Sequence, residues 1–220
     1  VSAPGPAGRV RRMAAVDGAR QGVFEGGWTL LELLAGLTIL AALVALSLPA
    51  LATTVARFRL ESVTRRLVAD MQAARWRALG GGRAAGLKLN SGSAGGFDWT
   101  LVSDGDGDGL RTADVSAGID PAVSRTRYLD AEARGVHLGF FPQAALRRLP
   151  PLTGWYPPGS DPLRFGSSDL LSFSPSGGAT PGSLYLTDGS RMTAIVVNGV
   201  TGRVRMFRLD QPDQRWKELY

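Results

Sequence analysis

The 220-residue chain has no cysteine and a single histidine. The first absence excludes disulfides and thiolate metal sites. The two together exclude cysteine nucleophiles and the usual zinc arrangements, which need Cys or several His side chains converging on one point. The lone histidine, His137, lies in Gly135-Val136-His137-Leu138, which reads as a strand, where one histidine is an ordinary surface residue. No carboxylate pair is marked by its context as an acid–base couple, so the chain reads as a non-enzyme. The most localised absence is of charge, since Leu33 to Ala52 carry none. About twenty helical residues rising 1.5 Å each cross a bilayer core of roughly 30 Å.

Glu32 stands immediately before that run. An acid inside a membrane span costs about 2.5–3.5 kcal/mol at worst depth and calls for a named partner. A new amino terminus at Trp28, made by cleavage after Gly27, would supply one. Opposite charges about 4 Å apart attract by roughly 4 kcal/mol at an effective dielectric near 20. That matches the cost of holding Glu32 at the membrane boundary.

Gly27-Trp28-Thr29-Leu30-Leu31-Glu32-Leu33 resembles the prepilin-peptidase site of type IV pilins and type II secretion pseudopilins. The resemblance implies that residues 1–27 are a leader removed by prepilin peptidase and that the new terminus, Trp28, is N-methylated. It also implies that Glu32, fifth in the mature chain, governs filament assembly. Trp28 departs from the usual first residue, phenylalanine, but keeps its aromatic character. Pro49 falls where many pilins kink their first helix, and an interior proline removes one helical hydrogen bond in any case. The competing reading is a secretory signal, with Arg9, Arg11, Arg12 and Arg20 as its basic leader and Ala50-Leu51-Ala52 as its cleavage site. Its apolar core would exceed the usual length of about 7–15 residues. Arginines flank both ends of the span, so the positive-inside rule leaves orientation open. The resemblance implies a single-pass protein of the bacterial inner membrane with its carboxyl-terminal domain in the periplasm.

Four segments follow: the leader 1–27, a transmembrane helix half 28–52, an amphipathic periplasmic half 53–79, and a β-rich globular domain 84–220. In the second half Leu60, Val63, Leu67, Met71, Ala74 and Ala78 recur at three- and four-residue steps, an apolar stripe that needs a sheet to cover it. Gly80-Gly81-Gly82 ends the helix. Beyond it the period becomes two, and strands are expected at 86–89, 97–102, 127–129, 136–140, 170–173, 183–186, 192–197 and 203–207. Asp188-Gly189 and Asn198-Gly199 are expected to form tight hairpin turns. The fold class is therefore α+β: one long helix packed on antiparallel sheet, as in type IV pilins.

Leu171-Ser172-Phe173-Ser174-Pro175-Ser176-Gly177, then Ser183 to Thr187, then Ile195 to Asn198, then Thr201-Gly202-Arg203-Val204-Arg205 is similar to the GspH/FimT group. Membership would imply a minor pseudopilin of a type II secretion pseudopilus. Its partners would be other pseudopilins, prepilin peptidase and the inner-membrane assembly platform. The alternative is a FimT-like minor type IV pilin serving pilus assembly or DNA uptake.

Three further features bear on ligands. Asp104-Gly105-Asp106-Gly107-Asp108-Gly109 has the alternating acids of a calcium loop, yet Val115 stands where an EF-hand needs its bidentate glutamate. It is either a looser calcium site, using Asp104, Asp106, Asp108 and Asp114, or a solvated turn; no other cofactor is indicated. Arg203 and Arg205 share a strand face and, with Arg191, Arg208 and Lys217, would form the phosphate strip of the DNA-binding alternative. The competing account makes them the solvated face of an edge strand. Lastly, the proline-rich loop 141–162 carries Trp155 and Tyr156, which either pack on the sheet or meet a neighbouring subunit.

Overall fold

The computed structural model describes residues 28–92, 96–140, 146–149, 154–157, 159–210 and 215–219. The expected leader, including Gly27, lies outside them. Helix α1 (Leu30–Gly81) leads into β1 (Ala85–Ser91) and β2 (Phe97–Ser103), then helix α2 (Thr112–Ala117), β3 (Arg127–Tyr128) and the short helix α3 (Leu129–Glu132). There follow β4 (His137–Leu138), β5 (Leu146–Arg147), β6 (Trp155–Tyr156), β7 (Leu163–Phe165) and β8 (Leu170–Phe173). The last strands are β9 (Gly182–Thr187), β10 (Met192–Val197), β11 (Val204–Asp210) and β12 (Arg215–Glu218).

The chain divides into two compact units, 1–46 and 47–220. In the first, Leu30–Ser47 is apolar and long enough to cross a membrane, and none of it is buried by the protein. Helical structure continues through Pro49, whose side chain, like any bend there, lies outside what is described.

In the second unit all six residues of the expected stripe, Leu60 to Ala78, are buried. They share one core with Leu87 and Leu89 of β1, Phe97 and Trp99 of β2, Leu171 and Phe173 of β8, and Leu184, Ile195 and Met206 of β9 to β11. The antiparallel sheet that covers the stripe forms two main sheets among the described residues, ordered β3-β2-β1-β8 and β12-β11-β10-β9-β4, with β7 also on β9 and a separate β5-β6 ribbon. The central strands of the six-stranded sheet, β9 to β11, are buried on both faces. Period two sends Leu184, Leu186, Ile195 and Met206 toward α1, and Tyr185, Met192, Ala194, Phe207 and Leu209 into a second cluster with Leu146, Leu149 and Tyr156.

Polar contacts tie the helix to both sheets. Thr64 and Thr193 share a buried hydrogen bond of 2.8 Å. The Trp99 indole donates to Asp70 at 2.8 Å, and Arg127 meets the same carboxylate at 3.1 Å. Glu61 accepts Arg57 at 3.1 Å and Arg208 at 3.6 Å. The helix ends as expected: Gly82 takes a φ of +64° and donates to the Ala78 carbonyl. At Gly86 an added Cβ would lie 1.9 Å from the Leu171 carbonyl oxygen, so only glycine lets β1 and β8 pair there.

Several expectations are corrected. Leu129 opens α3 and turns into the core instead of extending β3. The 136–140 strand shrinks to β4: His137 and Leu138 pair with Thr187 and Leu186 of β9, and Gly139 adds one hydrogen bond to the Tyr185 carbonyl. The two hairpin turns are longer than two residues. Asp188 Oδ1 accepts the N–H groups of Ser190 and Arg191, closing a four-residue turn between Thr187 and Met192. Asn198 Oδ1 accepts those of Val200 and Thr201, and the left-handed residue there is Gly202, not Gly199. Arg203 therefore precedes β11 instead of opening it.

Truncating the stripe tests this packing. Leu67→Ala should destabilise a soluble fragment beginning at Val55 by about 2–5 kcal/mol in denaturant titration. Leu79→Ala, at a 38% exposed position on the same helix, should change stability by less than about 1 kcal/mol.

Candidate functional site

At the start of α1 the sequence Thr29-Leu30-Leu31-Glu32 forms a reciprocal capping box. The Thr29 N–H and hydroxyl donate to Glu32 Oε2 at 2.9 and 3.0 Å, and the Glu32 N–H donates to Thr29 Oγ1 at 3.2 Å. A helix start leaves N–H groups unpaired, and this exchange satisfies two of them. Thr29 thus engages Glu32 within the chain, a contact the expected pairing with an amino terminus had not included. The pattern of threonine, two residues and glutamate before an apolar run was present in the sequence and signals this cap. Trp28, one residue earlier, is 76% exposed.

The acidic loop lies between β2 and α2. Oxygens of Asp104, Asp106 and Asp108 come within 4.8 Å of one another, a spacing a hard cation can bridge. Asp114 is outside this group; it sits in the first turn of α2, with Oδ2 buried and without a hydrogen-bond partner. The chain's own groups already engage the three. Asp104 is buried and accepts the N–H groups of Gly107 at 2.6 Å and Gly109 at 3.2 Å. Asp106 accepts the Asp108 N–H at 3.3 Å, which lowers its pKa. Asp108 pairs with Arg111, while desolvation and the neighbouring Asp106 push its pKa up. Asp120, which the sequence did not single out, closes the loop from beneath by accepting the N–H groups of Gly105 and Arg111.

The carboxyl-terminal arginines are placed differently from a phosphate strip. Arg203 and Arg205 do share a face, and both turn to Glu218 of β12: Arg205 Nε donates to Oε1 at 2.8 Å, and Arg203 lies 3.9 Å from the same oxygen. The Arg205 hydrogen bonds hold the Glu218 carboxyl below its ordinary value, with Arg203 adding to the effect. Arg208 points to the opposite face, toward Glu61 of α1; Lys217, its register partner, falls on that face as well. Arg191 lies 4.0 Å from Asp188. The edge-strand account is also corrected, since β12 covers β11. His137 is an exposed residue of β4.

The proline-rich loop splits its aromatics. Tyr156 is buried, with its hydroxyl 3.1 Å from that of Tyr185; burial and then Tyr156 drive the Tyr185 pKa upward. Trp155 is 56% exposed. Residues 141–145, 150–153 and 158 of this loop lie outside the described residues.

A long amino-terminal helix, lipid-length and apolar at first and then buried along one stripe by antiparallel sheet, defines a type IV pilin-like protein of the α+β class. Within that class, the family model described as type II transport protein GspH matches residues 63–202, more than half of the chain, and the chain belongs to that family. No match is found among curated proteins or among solved structures.

Two measurements probe this geometry. An acid titration followed by NMR should show Glu218 titrating below the free-glutamate value of about 4.3, and Arg205→Gln should return it toward that value. Because the folded pKa is the lower one, the contact contributes stability above the unfolded pKa and loses it as pH falls through the folded one. For the acidic loop, millimolar calcium should leave the melting temperature unchanged. A native-state ion at a hundredfold excess over Kd would add about 2.7 kcal/mol, so a rise abolished by Asp104→Asn/Asp106→Asn/Asp108→Asn would establish a calcium site.

Proposed function

We propose that the chain is a structural, non-catalytic minor pseudopilin of a type II secretion pseudopilus. The observation that carries this reading is membership of the type II transport family across residues 63–202. The lipid-length apolar segment Leu30–Ser47 supports anchorage in the bacterial inner membrane by one span. The proposal places the globular domain in the periplasm, with other pseudopilins, prepilin peptidase and the inner-membrane assembly platform as partners. Cleavage after Gly27 and N-methylation of Trp28 are part of it.

In this reading Glu32 has two successive partners. Within the chain it caps α1 through Thr29; in the filament it also meets the charged amino terminus of a neighbouring subunit. The cap orients the carboxylate at the helix start; charge attraction across subunits is the interaction that sets register in this reading.

The DNA-uptake alternative receives little support from the arginines that suggested it. Arg203 and Arg205 converge on the Glu218 carboxylate, so a phosphate would have to displace an ion pair already made. Duplex DNA titration of the soluble domain at about 50 and 200 mM salt distinguishes the two readings. Binding that falls steeply with salt and is lost in Arg203→Gln/Arg205→Gln would favour DNA uptake.

Mass spectrometry of the membrane-extracted protein should find Trp28, methylated, as the amino terminus. A mature chain starting at Thr53 would instead establish a secretory signal. Glu32→Ala and Glu32→Gln should both be processed and inserted yet fail to enter filaments. The glutamine keeps the capping hydrogen bond and removes only the charge. Wild-type secretion by Glu32→Gln at native expression would show that the cap, not the ion pair, is what assembly needs.

A further inference from the structure

Strand β12 ends the six-stranded sheet. The Leu219 N–H donates to the Met206 carbonyl at 2.8 Å, so antiparallel alternation turns the N–H and C=O groups of Trp216 and Glu218 outward. Among the described residues nothing pairs with these main-chain groups. Alternation also sends Arg215, Lys217 and Leu219 to the side facing α1. There an open groove of about 630 Å³ runs beside the strand, lined by Arg65, Val68, Ala69, Gln72, Ala73 and Trp76 of α1 with Met206 and Leu219. Trp76 is 67% exposed, a large apolar surface of the kind that marks an interaction site when it joins others.

We propose that the outer edge of β12 and this groove receive an extended segment of a partner protein by strand addition. Its groove-facing side chains, two residues apart, are apolar beside Leu219 and acidic beside Lys217 and Arg215. Charge fixes the partner's chemistry. Lys217, on the groove side of β12, makes no ion pair among the described residues, and Arg65, 3.8 Å from Glu61, keeps 71% of its side chain exposed at the groove wall. A second copy is a poor occupant. Antiparallel pairing of β12 with itself sets Lys217 against Lys217 or against Arg215, and like charges directly opposite destabilise a ladder. The added strand would satisfy the Trp216 and Glu218 main chain, cover Trp76 and neutralise the basic rim. The inference does not depend on which filament the chain serves.

The probes are two blocked nonapeptides with Thr at odd positions and Val-Leu-Glu-Glu or Glu-Glu-Leu-Val at even positions, covering parallel and antiparallel addition. One of them should bind the full-length chain in detergent saturably and protect the Trp216 and Glu218 amides from hydrogen exchange. Glu218→Ala keeps the outward N–H and should bind within about threefold of wild type, whereas Glu218→Pro removes it and should weaken binding about tenfold further. Proline is tolerated on an edge strand where its N–H side faces solvent. Ala73→Glu, at an exposed helical position, should also weaken binding about tenfold by placing a carboxylate in the groove, and peptides with Lys for Glu should not bind. The proposal is overturned by no saturable binding of either acidic peptide at millimolar concentration. It is equally overturned by equal binding of the lysine analogues, or by Glu218→Pro binding as tightly as Glu218→Ala.

Discussion

Leu60, Val63, Leu67, Met71, Ala74 and Ala78 can leave water only if something covers one side of a helix along five turns. Two sheets do so, contributing alternate residues from β1, β2, β8, β9, β10 and β11 to a single core. Burying each larger side chain contributes about 1.5–3 kcal/mol, and no local contact in the domain approaches that sum. The strand register, the close β1–β8 approach at Gly86 and the left-handed Gly82 all serve to bring pleated surface against this stripe.

Polar groups around that core set direction. Asp70 accepts from Trp99 and Arg127, Thr64 meets Thr193, and Glu61 meets Arg208. A buried donor left unmet costs about 1–3 kcal/mol, so each pairing penalises a slipped helix register more than it adds to stability. The arginines of this region have distinct uses. Arg57 and Arg65 lie against Glu61, Arg75 donates to the Thr201 carbonyl and Arg83 to the Gly105 carbonyl. The local positive excess is thus spent partly on fixing the helix to loops and partly on the open face beside Trp76.

In the proposed reading one side chain in the first turn of α1 serves fold and assembly together. Glu32 caps the helix because it is an acceptor three residues after Thr29. It would act in assembly because it is charged where charge is costly. The same logic holds at β12, where Glu218 draws in Arg203 and Arg205 on one face while Lys217 and Arg215 keep the other face and the strand edge from pairing with a copy of themselves.

Periodicity alone made much of this chain legible. The stripe Leu60 to Ala78, the glycine stop, the α+β class and the centres of β1, β2, β8, β9, β10 and β11 follow from side-chain spacing, because burial selects every third or fourth residue of a helix and every second of a strand. The capping box was equally present in Thr29-Leu30-Leu31-Glu32, a purely local signal. Other features depend on residues distant in sequence and had no local trace. Arg215-Trp216-Lys217-Glu218 is too polar to announce a strand, and it becomes one because β11 offers an open ladder. Nothing near Arg203 and Arg205 says that Glu218 will neutralise them or that Arg208 will face Glu61. Tyr156 and Trp155 are neighbouring aromatics, yet only the packing of Tyr185 against the first decides that it is buried and the second is not. Sequence spacing determined which faces must leave water; tertiary contact decided which charges meet, because a charge pairs with whatever the fold brings within a few ångströms and not with its neighbour along the chain.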